Sequence, residues 1–458
     1  MIDLLIKNGT VVNSSYSEKV DVAVKDGKVV ALGNADYFPE AKKEIDANGK
    51  YVIPGMIDSH VHVNLKLGEF TTTDSFYNAS LAAVHGGTTS FIDFAIPYEN
   101  ESPLDAVERR LSEAKGNTLI DYSFHGCVTK GNQKSYEDVR DLIVGGIPSI
   151  KMFTVYKDLV MIGRGEIYEV LKIINQYGGI AKFHAENAEM IDYQITKFLQ
   201  EGKTIPRYHA LSRPAISEVE AIASLITLIE HTDAPSIFVH MSTKEAKQIL
   251  DHAKKRIPLF TEVCSHYLAL SEEIYEGENG QNYICSPPIR SKEDRDGLWN
   301  MIQEGTVDVV NSDHCCYTLG QKEKYKHDFT KAPNGLPGIE TRGTILFSEG
   351  VATGKLSINQ FVELTSTKVA KLMGMYPNKG IIAVGSDADI VVFDPHAKYQ
   401  LTIQDLHMQT DYTPFEGFNM TGKPIHTIVR GNHLIDNGNL LDKKVRGEFI
   451  KRTKPILD

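Results

Sequence analysis

Cysteine is scarce in this sequence. Five thiols (Cys127, Cys264, Cys285, Cys315 and Cys316) occur in 458 residues, and no two stand in a C-x-x-C spacing. No disulfide framework or thiolate metal knot is signalled, and an odd, sparse set points to a reducing, cytoplasmic setting. Cys315-Cys316 is an adjacent pair whose side chains diverge, so it reads as two buried thiols. Long apolar runs are missing too. No stretch approaches the ~20 residues that span a bilayer, and Met1-Ile2-Asp3-Leu4-Leu5-Ile6-Lys7 does not read as a signal peptide. Positive charge is in deficit, with 49 Lys and Arg against 60 Asp and Glu and a net charge of -11. Nucleic acid and anionic membrane are thereby disfavoured as partners. No G-x-G-x-x-G or G-x-x-x-x-G-K-[ST] follows a strand-like run, so no nucleotide site is expected. Internal repeats, low-complexity tracts and long linkers are also lacking.

What is present is ordinary globular composition, 41% hydrophobic and 24% charged, with length for a large core. Residues 1–53 read as short strands and turns, with a hairpin signal at Lys25-Asp26-Gly27-Lys28. Between residues 54 and 377, eight apolar runs of strand length alternate with helical patterns such as Glu218 to His231. They end near His60 and His62, Phe94, His125, Phe153, His184, His240, Val263 and Asp313. Eight strands alternating with helices predict a (β/α)8 barrel; a doubly wound open sheet shares the pattern. From residue 378 the β texture resumes, for example Ile390-Val391-Val392-Phe393. The two ends of the chain, 1–53 and 378–458, are expected to pair in one β-sandwich beside the barrel. The basic last dozen residues read as a tail or an arm onto a neighbouring subunit.

The chain is organised around Asp58-Ser59-His60-Val61-His62. On a strand, residues i and i+2 share a face, so both imidazoles project together and suit a borderline divalent metal. Alone the pair is a weak signal. Four other runs also end in a donor: Lys151, His184, His240 and Asp313. The C-terminal ends of barrel strands carry the active site, so these six residues are the candidate ligands. Lys151 is the odd member. A protonated ammonium among imidazoles and cations is disfavoured. The lysine either reaches past the site to solvent or is neutral and carries carbon dioxide as a carbamate, an anionic donor able to bridge two ions.

These motifs resemble the ligand set of cyclic amidohydrolases, and more closely the dihydropyrimidinase/hydantoinase family. Further signals are Tyr156-Lys157, Ser286-Pro287-Pro288-Ile289-Arg290, Pro333-Asn334-Gly335 and Asp411-Tyr412-Thr413-Pro414-Phe415-Glu416-Gly417. The resemblance implies that His60, His62, Lys151 and Asp313 bind one divalent ion, most simply zinc, and that Lys151, His184 and His240 bind the other. A hydroxide activated between the ions would open a dihydropyrimidine or a 5-substituted hydantoin to an N-carbamoyl amino acid. Asp313 is then the proton carrier and Tyr156 the oxyanion donor, where otherwise Tyr156 would be a packed loop tyrosine. Ser286 and Asn334 read the ring amides; Leu65, Phe153 and Leu159 are wall candidates. Lys66 and Glu69 place charge in a loop that is more apolar in the family. The family also suggests a homotetramer or a homodimer. Allantoinase and a non-catalytic scaffold are the competing readings; the first lacks a Tyr156-type signal, and scaffold homologues have lost ligands that this chain keeps.

Overall fold

The structure is a computed structural model that describes residues 1–444 and 447–458. Its centre is a sheet of eight parallel strands: β1 (Met56–Val61), β2 (Thr88–Ala95), β3 (Asp121–Cys127), β4 (Ser149–Phe153), β5 (Ile180–His184), β6 (Ser236–Phe238), β7 (Leu259–Cys264) and β8 (Val309–Asn311). Each strand pairs with the next in sequence. The ring closes where Val61 bridges His314, with the His62 amide donating to His314 O at 2.7 Å. That seam is short, and the buried guanidinium of Arg342 staples it, donating to Ile57 O (3.0 Å) and Val310 O (2.9 Å). The expected barrel is therefore present and the open sheet is not. Its strands are buried on both faces, which is why they read as continuous apolar runs.

The helices between strands begin at side-chain caps. Ser102 caps Pro103–Ala114 with a reciprocal bond to Asp105, and Asn132 caps Gln133–Val144. Helix Arg164–Tyr177 ends at Gly178 in the left-handed conformation (φ 79°).

The ends of the chain form two packed sheets. The first holds Ile2–Lys7, Asp21–Lys25, Lys28–Gly33 and Ala41–Asp46. Its hairpin turn has positive φ at both Asp26 (51°) and Gly27 (76°), as a two-residue turn matching strand twist requires. The second mixes both termini: Tyr51–Pro54 pairs antiparallel with Ile390–Gln400. Leu4, Ile6, Val22 and Val24 of the first sheet pack with Val52, Ile390, Val392 and Ile428 of the second. Lys379 ties this unit to the barrel, its Nζ lying 2.8 Å from Asp121 at the start of β3 and 2.5 Å from Asp389 beside Ile390. The basic C-terminal tail is not free in this chain. Ile450 N donates to Tyr122 O at 2.8 Å, and the buried guanidinium of Arg452 bonds Ser123 Oγ (2.9 Å) and Ser149 Oγ (2.8 Å). The tail thus covers the starts of β3 and β4.

Candidate metal centre

Every candidate residue named from the sequence lines one cavity at the C-terminal ends of the barrel strands: His60, His62, Lys151, His184, His240, Asp313, Tyr156, Ser286, Asn334, Leu65, Phe153 and Leu159. His60 is inside β1, and Lys151 is the middle residue of β4. His184 is the last residue of β5. His240 and Asp313 lie two residues beyond β6 and β8, with φ of 41° and 50°. Tyr156 (φ 68°) and Asn64 (φ 45°) at the same rim are also left-handed. A non-glycine residue held there costs ~1–3 kcal/mol, so this rim stores strain that the rigid barrel below it supports.

Asp313 Oδ1 lies 3.1 Å from His60 Nε2 and 3.3 Å from His62 Nε2. Burial pushes its carboxyl up, but the two imidazoles outweigh burial and hold it well below the usual carboxylate range. Asp313 therefore stands ionised. Across the cavity the His184 and His240 rings are 4.4 Å apart, and His60 is 5.4 Å from His240, centroid to centroid. Lys151 stands between these groups, 1% exposed, with its Nζ 5.0 Å from the Phe94 and Phe153 ring centres. It makes no ion pair among the described residues. Burial, and then the charge of Lys182 beside it in the ladder, bring its pKa down to about 7.

These residues fit a metal pair better than they fit one another. The side chain of His240 makes no hydrogen bond among the described residues, and Nδ1 of both His62 and His240 is buried without a partner. Native interiors leave few such groups. Four imidazoles and a carboxylate, around a lysine whose charged form burial disfavours, are a chemically consistent set for two divalent ions.

A second set of residues holds these donors, and sequence reasoning gave it no role. His60 Nδ1 donates to Glu262 of β7. Glu262 also accepts from Asn311 Nδ2 (2.8 Å) and faces Lys182 Nζ at 3.4 Å. Burial alone would raise the Glu262 carboxyl; Lys182 and His60 instead draw it down to about 2. Glu186 plays the matching part on the other side. It accepts from His184 Nε2 at 2.6 Å and from Arg213 at 2.8 Å, and Arg213 lies 5.5 Å from the Tyr156 ring centre. Such acceptors fix the tautomer and aim the opposite ring nitrogen at a metal. The available signal was an acid inside an apolar strand (Glu262) and one two residues beyond a candidate ligand (Glu186).

The loops complete the cavity. Ser286 Oγ is 3.3 Å from Asn334 Oδ1. Gly335 beside it (φ 147°) passes so close to Cys315 that a Cβ would sit 2.4 Å from its carbonyl oxygen, which only glycine avoids. Lys66 and Glu69 do not enter the cavity. Both are exposed, and Glu69 bonds Lys324 and the Tyr325 hydroxyl, while Leu65 and Leu67 face inward.

The Amidohydrolase family model matches residues 51–434. The chain belongs to that family. Within it, the chain is 39% identical over 456 residues to a D-hydantoinase of Geobacillus stearothermophilus, spanning 98% of this chain and 96% of that protein. A D-phenylhydantoinase of Escherichia coli is 39% identical over 99% of both chains. Among solved structures, dihydropyrimidinase from Brevibacillus agri matches with a TM-score of 0.97, 40% identity and 99% of both chains. The L-hydantoinase (dihydropyrimidinase) of Arthrobacter aurescens matches with a TM-score of 0.92 at 29% identity, over 99% of this chain and 100% of that one. This places the amidohydrolase in the dihydropyrimidinase/hydantoinase group, whose family membership implies a binuclear metal centre. No described helix is long and apolar enough to cross a membrane.

Proposed function

We propose a division of labour for the hydrolysis this cavity performs. The chain is a hydrolase of cyclic amides of the hydantoinase/dihydropyrimidinase type, and it opens the ring by adding water across a C–N bond. His60, His62 and Asp313 would hold one divalent ion and His184 and His240 the other, with Lys151, carrying carbon dioxide as a carbamate, as the sixth ligand. The carbamate forms when the neutral Lys151 amine adds to carbon dioxide, making a C–N bond and releasing a proton. Four imidazoles with oxygen donors suit zinc. Two such ions, when bound, supply Lewis-acid polarisation of a carbonyl and a water acidified far below bulk.

The protein's own residues do the rest. The Asp313 carboxylate takes the proton of the attacking water and returns it to the departing ring nitrogen. Tyr156, whose phenol burial pushes up to about 12, stays protonated and donates to the oxygen that gains charge. Ser286 and Asn334 present polar groups to the ring's amide edge, and Leu65, Phe153 and Leu159 take its exocyclic substituent. With a hydantoin or dihydropyrimidine ring the product is an N-carbamoyl amino acid. The reading extends to a cytoplasmic enzyme, supported by five free, buried cysteines, and to a homotetramer, supported by the family resemblance.

One observation carries this proposal: the convergence of six donors and Tyr156 in one cavity, with Lys151 buried there and lacking an anionic partner. The test is ring opening of dihydrouracil, 5-substituted hydantoins and allantoin by metal- and bicarbonate-supplied protein. Turnover of dihydrouracil or a hydantoin supports the reading; turnover of allantoin alone replaces it.

A further inference from the structure

Away from the barrel, the accessory sheet gathers three donors that ring opening does not use. His426 lies on strand Asn419–Val429, and His433 and Asp436 lie on the neighbouring strand Asn432–Asp436. The strands are antiparallel and joined by the tight turn Arg430-Gly431, with φ of 44° and 74°. In a regular ladder, alternation would place Asp436 with Leu434 and turn His433 to the other face. This ladder is not regular. His426 faces Asp436 and Thr427 faces Ile435, but Ile428 faces His433. One extra residue is accommodated on the second strand, and such a bulge re-aims a side chain. Here it brings His433 to the face that carries His426 and Asp436.

The result is a close trio. His426 Nδ1 is 3.2 Å from His433 Nε2 and 3.2 Å from Asp436 Oδ1. Hydrogen bonds alone serve it poorly, because a neutral imidazole carries one N–H. If that proton is on His426 Nδ1, two acceptors share it. If it is on His433 Nε2, the His426 lone pair faces a carboxylate. A cation at the meeting point would use all three lone pairs. Zinc bonds of ~2.0–2.2 Å in a tetrahedron set their ligand atoms roughly 3.3 Å apart, close to the spacing from His426 Nδ1 to each of the other two atoms, and all three lie within 4.8 Å of one another. The two rings are 5.1 Å apart and inclined at 65°, so each can aim a nitrogen at one ion. The other histidine pair outside the barrel, His85 and His407 beside Glu340, is stacked at 3.4 Å and 13° and cannot do so without turning a ring.

We propose that His426, His433 and Asp436 form a binding site for one divalent cation of the zinc class, separate from the barrel centre. Asp436 is 41% exposed, so the remaining coordination positions open to water. Burial, then the charge of exposed Lys43, holds His433 down to about 4, and burial also lowers His426; both imidazoles are neutral ligands at neutral pH. Lys43 also opposes a cation, which makes the site weaker than one free of positive neighbours. The ion ties two strands together and takes no part in ring opening.

The test is zinc stoichiometry of the full-length holoenzyme equilibrated with free Zn(II), measured beside His433→Ala and Asp436→Asn. Wild type is expected to hold one zinc more per chain than either variant. Loss of one of three protein ligands is expected to weaken that zinc by roughly tenfold or more. Ring-opening rates and melting curves without added zinc should be unchanged, which shows that the variants fold. Replacing the ion with Co(II) should give an extra visible absorption band that both variants lack. Equal zinc content in wild type and folded variants overturns the proposal, as does an identical zinc-induced rise in melting temperature. A variant that melts early without zinc is replaced by His426→Asn, read the same way.

Discussion

His184 Nε2 donates to Glu186 Oε2 at 2.6 Å, and the same carboxylate oxygen accepts from Arg213 at 2.8 Å. This fixes the His184 tautomer, leaves Nδ1 to face the cavity, and joins the imidazole to the cation beside the Tyr156 ring. Replacing Glu186 by Gln keeps the shape and removes the charge. Metal affinity at the barrel centre should fall by roughly 10- to 100-fold, the usual effect of losing such an acceptor. Competition with a chelator, followed by elemental analysis, measures it. Unchanged affinity would remove Glu186 from the account.

Lys151→Ala should lose bound metal and activity together, and short-chain carboxylates should restore part of both, because the cavity lacks an anion at that point. Activity measured with and without added acetate decides it. Full activity in the variant would rule out the carbamate.

Tyr156→Phe should bind metal normally and turn over roughly 100- to 1,000-fold more slowly, as when one oxyanion donor is removed. The drop should fall in kcat, because the donated bond strengthens only as charge develops. A variant with normal kcat would return Tyr156 to the role of a packed loop tyrosine.

Lys379 is one link between barrel and sandwich, and it holds buried charge. Removing one partner of such a group costs ~3–5 kcal/mol, so Lys379→Met should lower the melting temperature sharply without altering the metal site. Burial raises the carboxyl of Asp387, but Lys379 and Lys28 outweigh it and hold it below its ordinary value. A depressed pKa contributes stability above the unfolded value of about 3.9, lost as pH falls through the folded value. Wild type should therefore lose stability in acid below about pH 4, and Lys379→Met should lose less over the same window. Denaturant unfolding at pH 7 and pH 3 measures both slopes; parallel losses would count against the link.

The eight barrel strands were legible because parallel strands buried on both faces must be apolar along their length. The donors at their ends then stood out as polar residues that an apolar run had no reason to carry. Less of β6 and β8 was legible: both end two residues before His240 and Asp313, where the chain turns into left-handed conformations that the sequence does not mark. Glu262, Lys182 and Asn311 were missed for a different reason. Asn311 reaches Glu262 from the neighbouring strand, 49 residues along the chain, and Lys182 reaches it from β5, so they meet only once the barrel strands are assembled side by side. Lys66 looked like an intruder because a two-stranded hairpin alternates its faces, and only the fold shows which face looks outward; Glu69 sits in the turn of that hairpin. The basic C-terminal residues read as a tail or an arm, yet Arg452 is buried, with hydrogen bonds to groups near the starts of two strands of its own barrel.

The most direct test is the initial rate of ring opening by wild type and Asp313→Asn, before and after metal is removed and restored. The account predicts that wild type opens dihydrouracil or a 5-substituted hydantoin, stops on chelation and recovers with zinc and bicarbonate. Asp313→Asn should keep part of its metal and lose turnover. Metal-independent ring opening, or a near-normal rate in Asp313→Asn, would contradict it.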